Sequence, residues 1–166
     1  MAASSVARMA RKDITFTSDE VAAYLETGRT VIVGSHNRDG SIHLAPMWYV
    51  MEGGKVVFRS FTKSQKIVNL RRDPRITVLV ETGEAYAELQ GIMIRGTATL
   101  IDDPAYTLRV YGRLAAKYAM VGDEPVKLDD EALEAAFGRF ASKNTSVIVE
   151  PKKITSWDHA KLGGAY

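Results

Sequence analysis

No cysteine occurs in the 166 residues. That excludes a disulfide scaffold and any thiolate metal site, and it suits a reducing compartment, so a cytoplasmic location is expected. No apolar run approaches the roughly 20 residues that a bilayer-spanning helix needs, so no membrane span is expected. Residues 1–12 are small, polar and mildly basic without an apolar h-region. They read as a frayed, disordered tail rather than a secretory signal. His36, His43 and His159 lack HxxxH spacing and a carboxylate cluster, so no metal site is expected. GxSxG, Walker A and GxGxxG signatures are also missing. No repeat, low-complexity tract or linker divides the chain, and 13–166 reads as one domain large enough for a core.

What is present is ordinary in bulk and unusual in one place. Hydrophobic residues make up 46% and charged residues 25%, as in soluble globular proteins. Net charge is +2, yet residues 59–75 set Arg59, Lys63, Lys66, Arg71, Arg72 and Arg75 against Asp73 alone. That segment carries +5 and the remainder −3. So local a charge suits a compact anionic ligand, and without interleaved aromatics it does not suit nucleic acid. Thr62 reads as an N-cap, with Gln65 completing a capping box. The helix should carry Ile67 and Leu70 inward and stop by Asp73, before Pro74. Lys63 and Lys66 then fall in its first turn, where the helix dipole makes a cation unfavourable by roughly 0.3–1 kcal/mol. A bound phosphate would relieve that conflict. The other reading is a solvated basic turn with snorkelling lysines.

The remaining pattern is mostly extended. Thr17-Ser18-Asp19-Glu20 opens a helix that closes at Gly28 as its C′ residue. Strands are predicted over 30–36, 41–51, 55–60, 76–81 and 85–101, the last bent at Gly91 and Gly96. Helices follow from Asp103-Pro104 towards Gly122 and from Asp129 or Asp130 through Phe140. A final strand over 146–157 is broken by Pro151. About six antiparallel strands with inserted helices make an α+β fold, a small closed or half-closed barrel. Without a nucleophile, metal or paired acid, any reaction falls to a cofactor that the protein positions. Pro46-Met47-Trp48-Tyr49 offers it a platform, since proline inside a strand fits an exposed edge or bulge. A barrel edge with Met47 and Tyr49 in the core is the plainer reading.

The run from Gly34 through Asn37-Arg38-Asp39-Gly40 to Pro46-Met47-Trp48 resembles the first hairpin of the split β-barrel flavin and deazaflavin oxidoreductases. These are relatives of pyridoxamine 5'-phosphate oxidase. Phe58-Arg59-Ser60 and Lys66-Ile67-Val68-Asn69-Leu70-Arg71-Arg72-Asp73-Pro74-Arg75 are similar to that group's strand and phosphate helix. Arg95-Gly96-Thr97-Ala98 and Ile154-Thr155-Ser156-Trp157 also fit. The resemblance spans about 18–160 and is greatest to the branch that uses coenzyme F420. It implies an FMN-binding split barrel of six strands and a homodimer with its cofactor at the subunit interface. Lys66 falls on the family's phosphate lysine, with Lys63 and Asn69 beside it on the same segment. Ser60 falls beside the ring system, lined by Pro46, Met47 and Trp48. Leu79 and Val80 belong to the interface side, and Trp157 reaches the partner's site. Two departures count against pyridoxamine phosphate as substrate and weaken FMN. Gln65-Lys66 stands where an Arg-Lys pair is usual, and no arginine lies near Ala45–Pro46. The implied activity is hydride transfer between F420 and a conjugated or quinone-like small molecule, with FMN, or binding without turnover, as alternatives. No catalytic residue is assigned. Tyr86, Glu88, Arg95 and Tyr111 are open candidates for substrate contact.

Overall fold

The computed structural model describes residues 14–163, so the tail expected over 1–12 lies outside the described residues. Helix α1 (Ser18–Thr27) starts as its sequence dictates. Thr17 accepts from the Glu20 N–H, and Glu20 Oε2 accepts from the Thr17 N–H at 2.7 Å. Gly28 caps it with φ −57, so no left-handed turn demands the glycine. Space does: a Cβ there would lie 2.4 Å from the Tyr49 hydroxyl.

Seven strands follow, one more than expected. They are β1 (Val31–His36), β2 (Ile42–Met47), β3 (Val50–Glu52), β4 (Lys55–Phe61), β5 (Arg75–Thr82), β6 (Gln90–Ile101) and β7 (Asn144–Asp158). The extra strand arises because 41–51 breaks at Trp48-Tyr49. Tyr49 turns into the core there, and its hydroxyl donates to the Leu25 carbonyl at 2.6 Å. The strands form one curled antiparallel sheet in the order β2-β1-β5-β6-β7-β4-β3. Pro46 therefore lies on an edge strand, where its missing N–H breaks no ladder.

Two extended predictions shift. Residues 86–88 form a 3-10 turn, and β6 begins only at Gln90. Pro151 does not end β7, because the ladder with β6 shifts register between Arg95 and Gly96 and absorbs the proline in a bulge. Gly96 is required at this point, since a Cβ would meet the Glu150 carbonyl oxygen at 1.9 Å. Gly91 marks no bulge. The Trp157 ring occupies the space its side chain would take, 2.2 Å from a would-be Cβ.

Alternation sorts the sheet into two faces. Val33, Val78, Val80, Ile92 and Ile94 point inward onto α1 and helix α2 (Gln65–Arg72), which contributes Ile67 and Leu70. Helix α3 (Pro104–Lys117) packs Val110 and Leu114 against Val57 of β4. Helix α4 (Asp130–Ala141) packs Leu133 and Phe137 on α3. Asp103 and Asp129 cap the two through the N–H groups of Ala105 and Ala132, each at 2.9 Å. α3 stops at Lys117 instead of running on. Tyr118 is extended and sets its hydroxyl 2.9 Å from the carbonyl oxygens of Tyr49 and Arg29.

Candidate cofactor site

The start of α2 departs from the capping box that Thr62 and Gln65 suggest. β4 continues to Phe61, paired with Asn144, and Thr62 donates its N–H to Lys143 at 3.0 Å. Tertiary strand pairing thus consumes the would-be cap. Ser64 becomes the N-cap without a side-chain cap bond, and its hydroxyl lies 3.0 Å from that of Ser60 instead. Gln65 turns to donate to Asn69 Oδ1 at 2.9 Å. Lys63 therefore precedes the helix and is exposed, so the first turn holds Lys66 alone.

Lys66 meets a neutral hydroxyl, whereas Arg71 and Arg75 meet carboxylates. Its ammonium donates to Ser60 Oγ at 3.2 Å, and burial alone pushes its pKa down. Elsewhere in the segment, Arg71 pairs with Asp102 at 2.7 Å and Arg75 with Asp73 at 2.6 Å. Arg72 donates to the His36 carbonyl and to Asn69 Oδ1. Asn69, fully buried, donates to Ser35 Oγ at 3.2 Å and Asn37 Oδ1 at 2.8 Å, tying α2 to β1. The structure thus joins Ser60, Ser64 and Lys66 in one set of bonds and holds Asn69 in another, with Gln65, Ser35, Asn37 and Arg72. Sequence reading missed two partners of Asn69, Ser35 and Asn37. Ser35 has a signal, as a hydroxyl on the inward face of an apolar strand.

Pro46, Met47 and Trp48 lie apart from that network. With Thr30, Arg59 and Leu114 they line a cavity of about 320 Å³ between β2 and α3. Trp48 stacks on Tyr118, with centroids 4.8 Å apart and planes 8° from parallel, and stays 45% exposed. Arg59 extends over the Tyr111 ring at 4.3 Å, so Tyr111 serves as its support. Arg59 and Ser60 are neighbours on β4 and point to opposite faces.

The remaining expected residues separate. Val80 is in the core beneath α1, so its side chain is closed to any ligand. Leu79 points to the opposite, outer face, in register with Ile32 and Met93. Trp157 lies over Gly91 on that face. Ile42 and Leu44 on β2 extend the same face, 54% and 63% exposed. Tyr86 packs on His159, and Glu88 and Arg95 are exposed. A larger cavity, about 890 Å³, lies between α1 and the β3–β4 turn. It is mainly apolar, its Lys55 is held by Glu150 at 2.7 Å, and it shares no residue with either polar site. Size alone therefore does not locate the chemistry. Among the described residues no helix is long and apolar enough to cross a membrane, and no cluster of acids and histidines could hold a metal.

Known proteins place this arrangement in context. The conserved hypothetical protein Rv2991 of Mycobacterium tuberculosis is 32% identical, with a TM-score of 0.83, covering 94% of this chain and 93% of that one. An F420 reductase matches at 21% identity and a TM-score of 0.61, over 80% of this chain and 94% of its own. The FAD-binding protein of Mycobacterium smegmatis matches at 16% and 0.54, over 85% and 95%. At those identities the last two show a shared fold. No curated protein matches the chain. The sequence profile of pyridoxamine 5'-phosphate oxidase matches residues 17–144. That span runs from the α1 cap through both polar sites to the start of β7, and the chain belongs to the pyridoxamine 5'-phosphate oxidase family of flavin-binding split-barrel oxidoreductases.

Proposed function

We propose that this protein is an F420-dependent oxidoreductase that moves a hydride between the deazaflavin and a conjugated or quinone-like small molecule. The observation that carries the reading is Lys66, a desolvated ammonium at the start of α2 whose only partner among the described residues is Ser60. An anion there would meet the lysine, the Ser60 and Ser64 hydroxyls and the uncapped N–H groups of the first turn. A phosphodiester, as in F420, brings one negative charge, whereas the phosphomonoester of FMN brings nearly two. Gln65 is occupied by Asn69, so one cation faces the site, which favours a singly charged phosphate group. The F420 reductase among the structural neighbours agrees with this choice.

The bound deazaflavin would supply the hydride chemistry. This chain's contribution is placement: Lys66 and Ser60 hold the phosphate end, buried Asn69 fixes α2 against Ser35 behind them, and Pro46, Met47 and Trp48 bound the space for the ring. Lys63 lies close enough in sequence to add long-range attraction, without a fixed contact.

The working unit on this reading is a homodimer. Ile42, Leu44, Pro46, Ile32, Leu79, Met93 and Trp157 form a broad apolar outer face that none of the four α-helices among the described residues covers. A second copy covering it would bring Leu79 and Trp157 to the subunit boundary beside the cofactor. Side-by-side titration of the purified protein with F420 and FMN tests the assignment. Tighter F420 binding, with hydride transfer to a quinone panel, is expected. Preferential FMN binding, in a protein purified yellow, would replace F420 by FMN. Binding without turnover of any acceptor would leave a carrier protein. Sedimentation should show a dimer at micromolar concentration.

A further inference from the structure

The 890 Å³ cavity between α1 and the β3–β4 turn has no part in the cofactor reading. Its floor is the core itself: Leu25, Val56, Ile94 and Val149 line it. Two of its polar groups are occupied within the fold. Ser156 Oγ accepts from the Phe16 N–H at 3.0 Å, and Lys55 pairs with Glu150. Glu26 differs. It lies in the last turn of α1, the negative end of the helix dipole, and no basic residue offsets it there. Among the described residues no cation forms an ion pair with its carboxylate. Lys117 feels that charge, but its ammonium lies over the Tyr49 ring, 4.2 Å from the centroid. Along α1 the lining runs from Ser18 to Glu26, about 12 Å at 1.5 Å per residue, so the cavity is an elongated slot with an anion at one end.

We propose that this slot binds a cationic amphiphile, with its aliphatic chain along α1 over Leu25, Val56 and Val149 and its ammonium head at Glu26. Burial of the chain drives binding, and the carboxylate at the negative helix end selects the head. The volume falls within the range of small-molecule sites. The slot shares no residue with either polar site, so it lies beyond the oxidoreductase reading and does not depend on it.

The test is calorimetric titration of the full chain with decylammonium, decanol and decanoate, for wild type, Glu26→Gln, Glu26→Lys and Ala22→Trp. Wild type should bind decylammonium at least about tenfold more tightly than decanoate, with decanol between them. Octylammonium should bind about tenfold more weakly than decylammonium, since two methylenes are lost from the slot. Glu26→Gln should abolish the preference for the cation and leave decanol unaffected, and Glu26→Lys should reverse it. Ala22 is exposed on α1 in the cavity wall, so Ala22→Trp should fill the slot and weaken all three ligands without unfolding the helix. Without ligand, Glu26→Gln should melt no lower than wild type, because an anion leaves the negative end of a dipole. A clear loss of apo stability would mean that Lys117 already neutralises the carboxylate, and would overturn the proposal. Equal binding of cation and anion by wild type overturns it too. So does binding that Ala22→Trp leaves intact, which would put the amphiphile on the outer apolar face. A dimer that separates in sedimentation as decylammonium saturates would give the slot to a second copy of the chain instead.

Discussion

Lys66 and Arg75 lie nine residues apart in the same basic segment, yet they face opposite circumstances. Arg75 is exposed and grips Asp73 through three bonds to its carboxylate, at 2.6–3.0 Å. Lys66 is half-buried and has one neutral hydroxyl. Arg71 sides with Arg75, through Asp102, and Arg59 sides with Lys66. Net charge treats all four alike. Folding separates them into cations that already have counter-ions and cations that lack one, and only the second kind has unspent electrostatic attraction for a ligand.

Replacing Lys66 should show the largest effect. Lys66→Ala removes a charge-assisted contact worth roughly 1.5–3 kcal/mol, about ten- to a hundredfold in F420 affinity. The ligand-free mutant should melt no lower than wild type, because a cation leaves both a desolvated position and the positive end of a helix dipole. Titrations paired with melts of both proteins check it. A mutant that loses apo stability while keeping its affinity would make Lys66 a packing residue.

How far this contrast could be read beforehand depended on range. Contacts within a few residues were legible: the Thr17–Glu20 box and the caps at Asp103 and Asp129 form as their spacing implies. The α+β barrel followed from alternation and turns. Errors arose where distant chain segments intervened. Lys143 takes the Thr62 N–H and delays α2, and the Arg95/Gly96 shift rescues Pro151. Val80 was placed on the interface side because the face of a strand depends on register, and a shift of one residue inverts it. Lys66 was visible as a cation in the first turn of a helix, and Asn69 through a resemblance. Arg59 was visible as a charge, but its missing counter-ion is a property of the folded surroundings alone.

A close approach far from both cations gives the next effect. Gly91→Ala drives a methyl into the Trp157 ring, which ordinary packing would have to move. Overpacking of this kind commonly destabilises by about 1–3 kcal/mol. Chemical denaturation should show that loss, and sedimentation should show a weakened dimer if the Trp157 face is the interface. A destabilised protein with an unchanged dimer would confine Trp157 to packing within one subunit.

The unpaired state of Lys66 should also be visible in the pH dependence of stability. Its folded pKa lies below the ordinary lysine value of 10.5 because of burial. Between those two values the unfolded chain binds more protons than the folded one, so Lys66 makes ligand-free stability rise with pH across that window. Below the folded pKa its contribution is flat. Lys66→Met should remove the rise, and the difference between the two melting profiles isolates it from the tyrosines. No difference between the profiles would mean that water reaches the ammonium freely.

The smallest effect should come from the paired partner of the comparison. Arg75→Ala removes a cation three residues past the end of the phosphate helix, so a site governed by the summed charge of the segment would feel it. The carboxylate of Asp73, however, already cancels most of its field, and at ordinary salt exposed charges are screened over about 10 Å. F420 affinity should therefore stay within about twofold of wild type. Asp73 loses the bonds that hold its pKa below the usual carboxylate range. Its depressed pKa contributes stability above the unfolded value that is lost as pH falls, so the mutant should be less sensitive to acid than wild type over that range. Titrating affinity at low and moderate salt separates the two cases. If Arg75→Ala weakens F420 as much as Lys66→Ala at both, the segment acts as one diffuse positive surface, and the division between paired and unpaired cations has no bearing on binding.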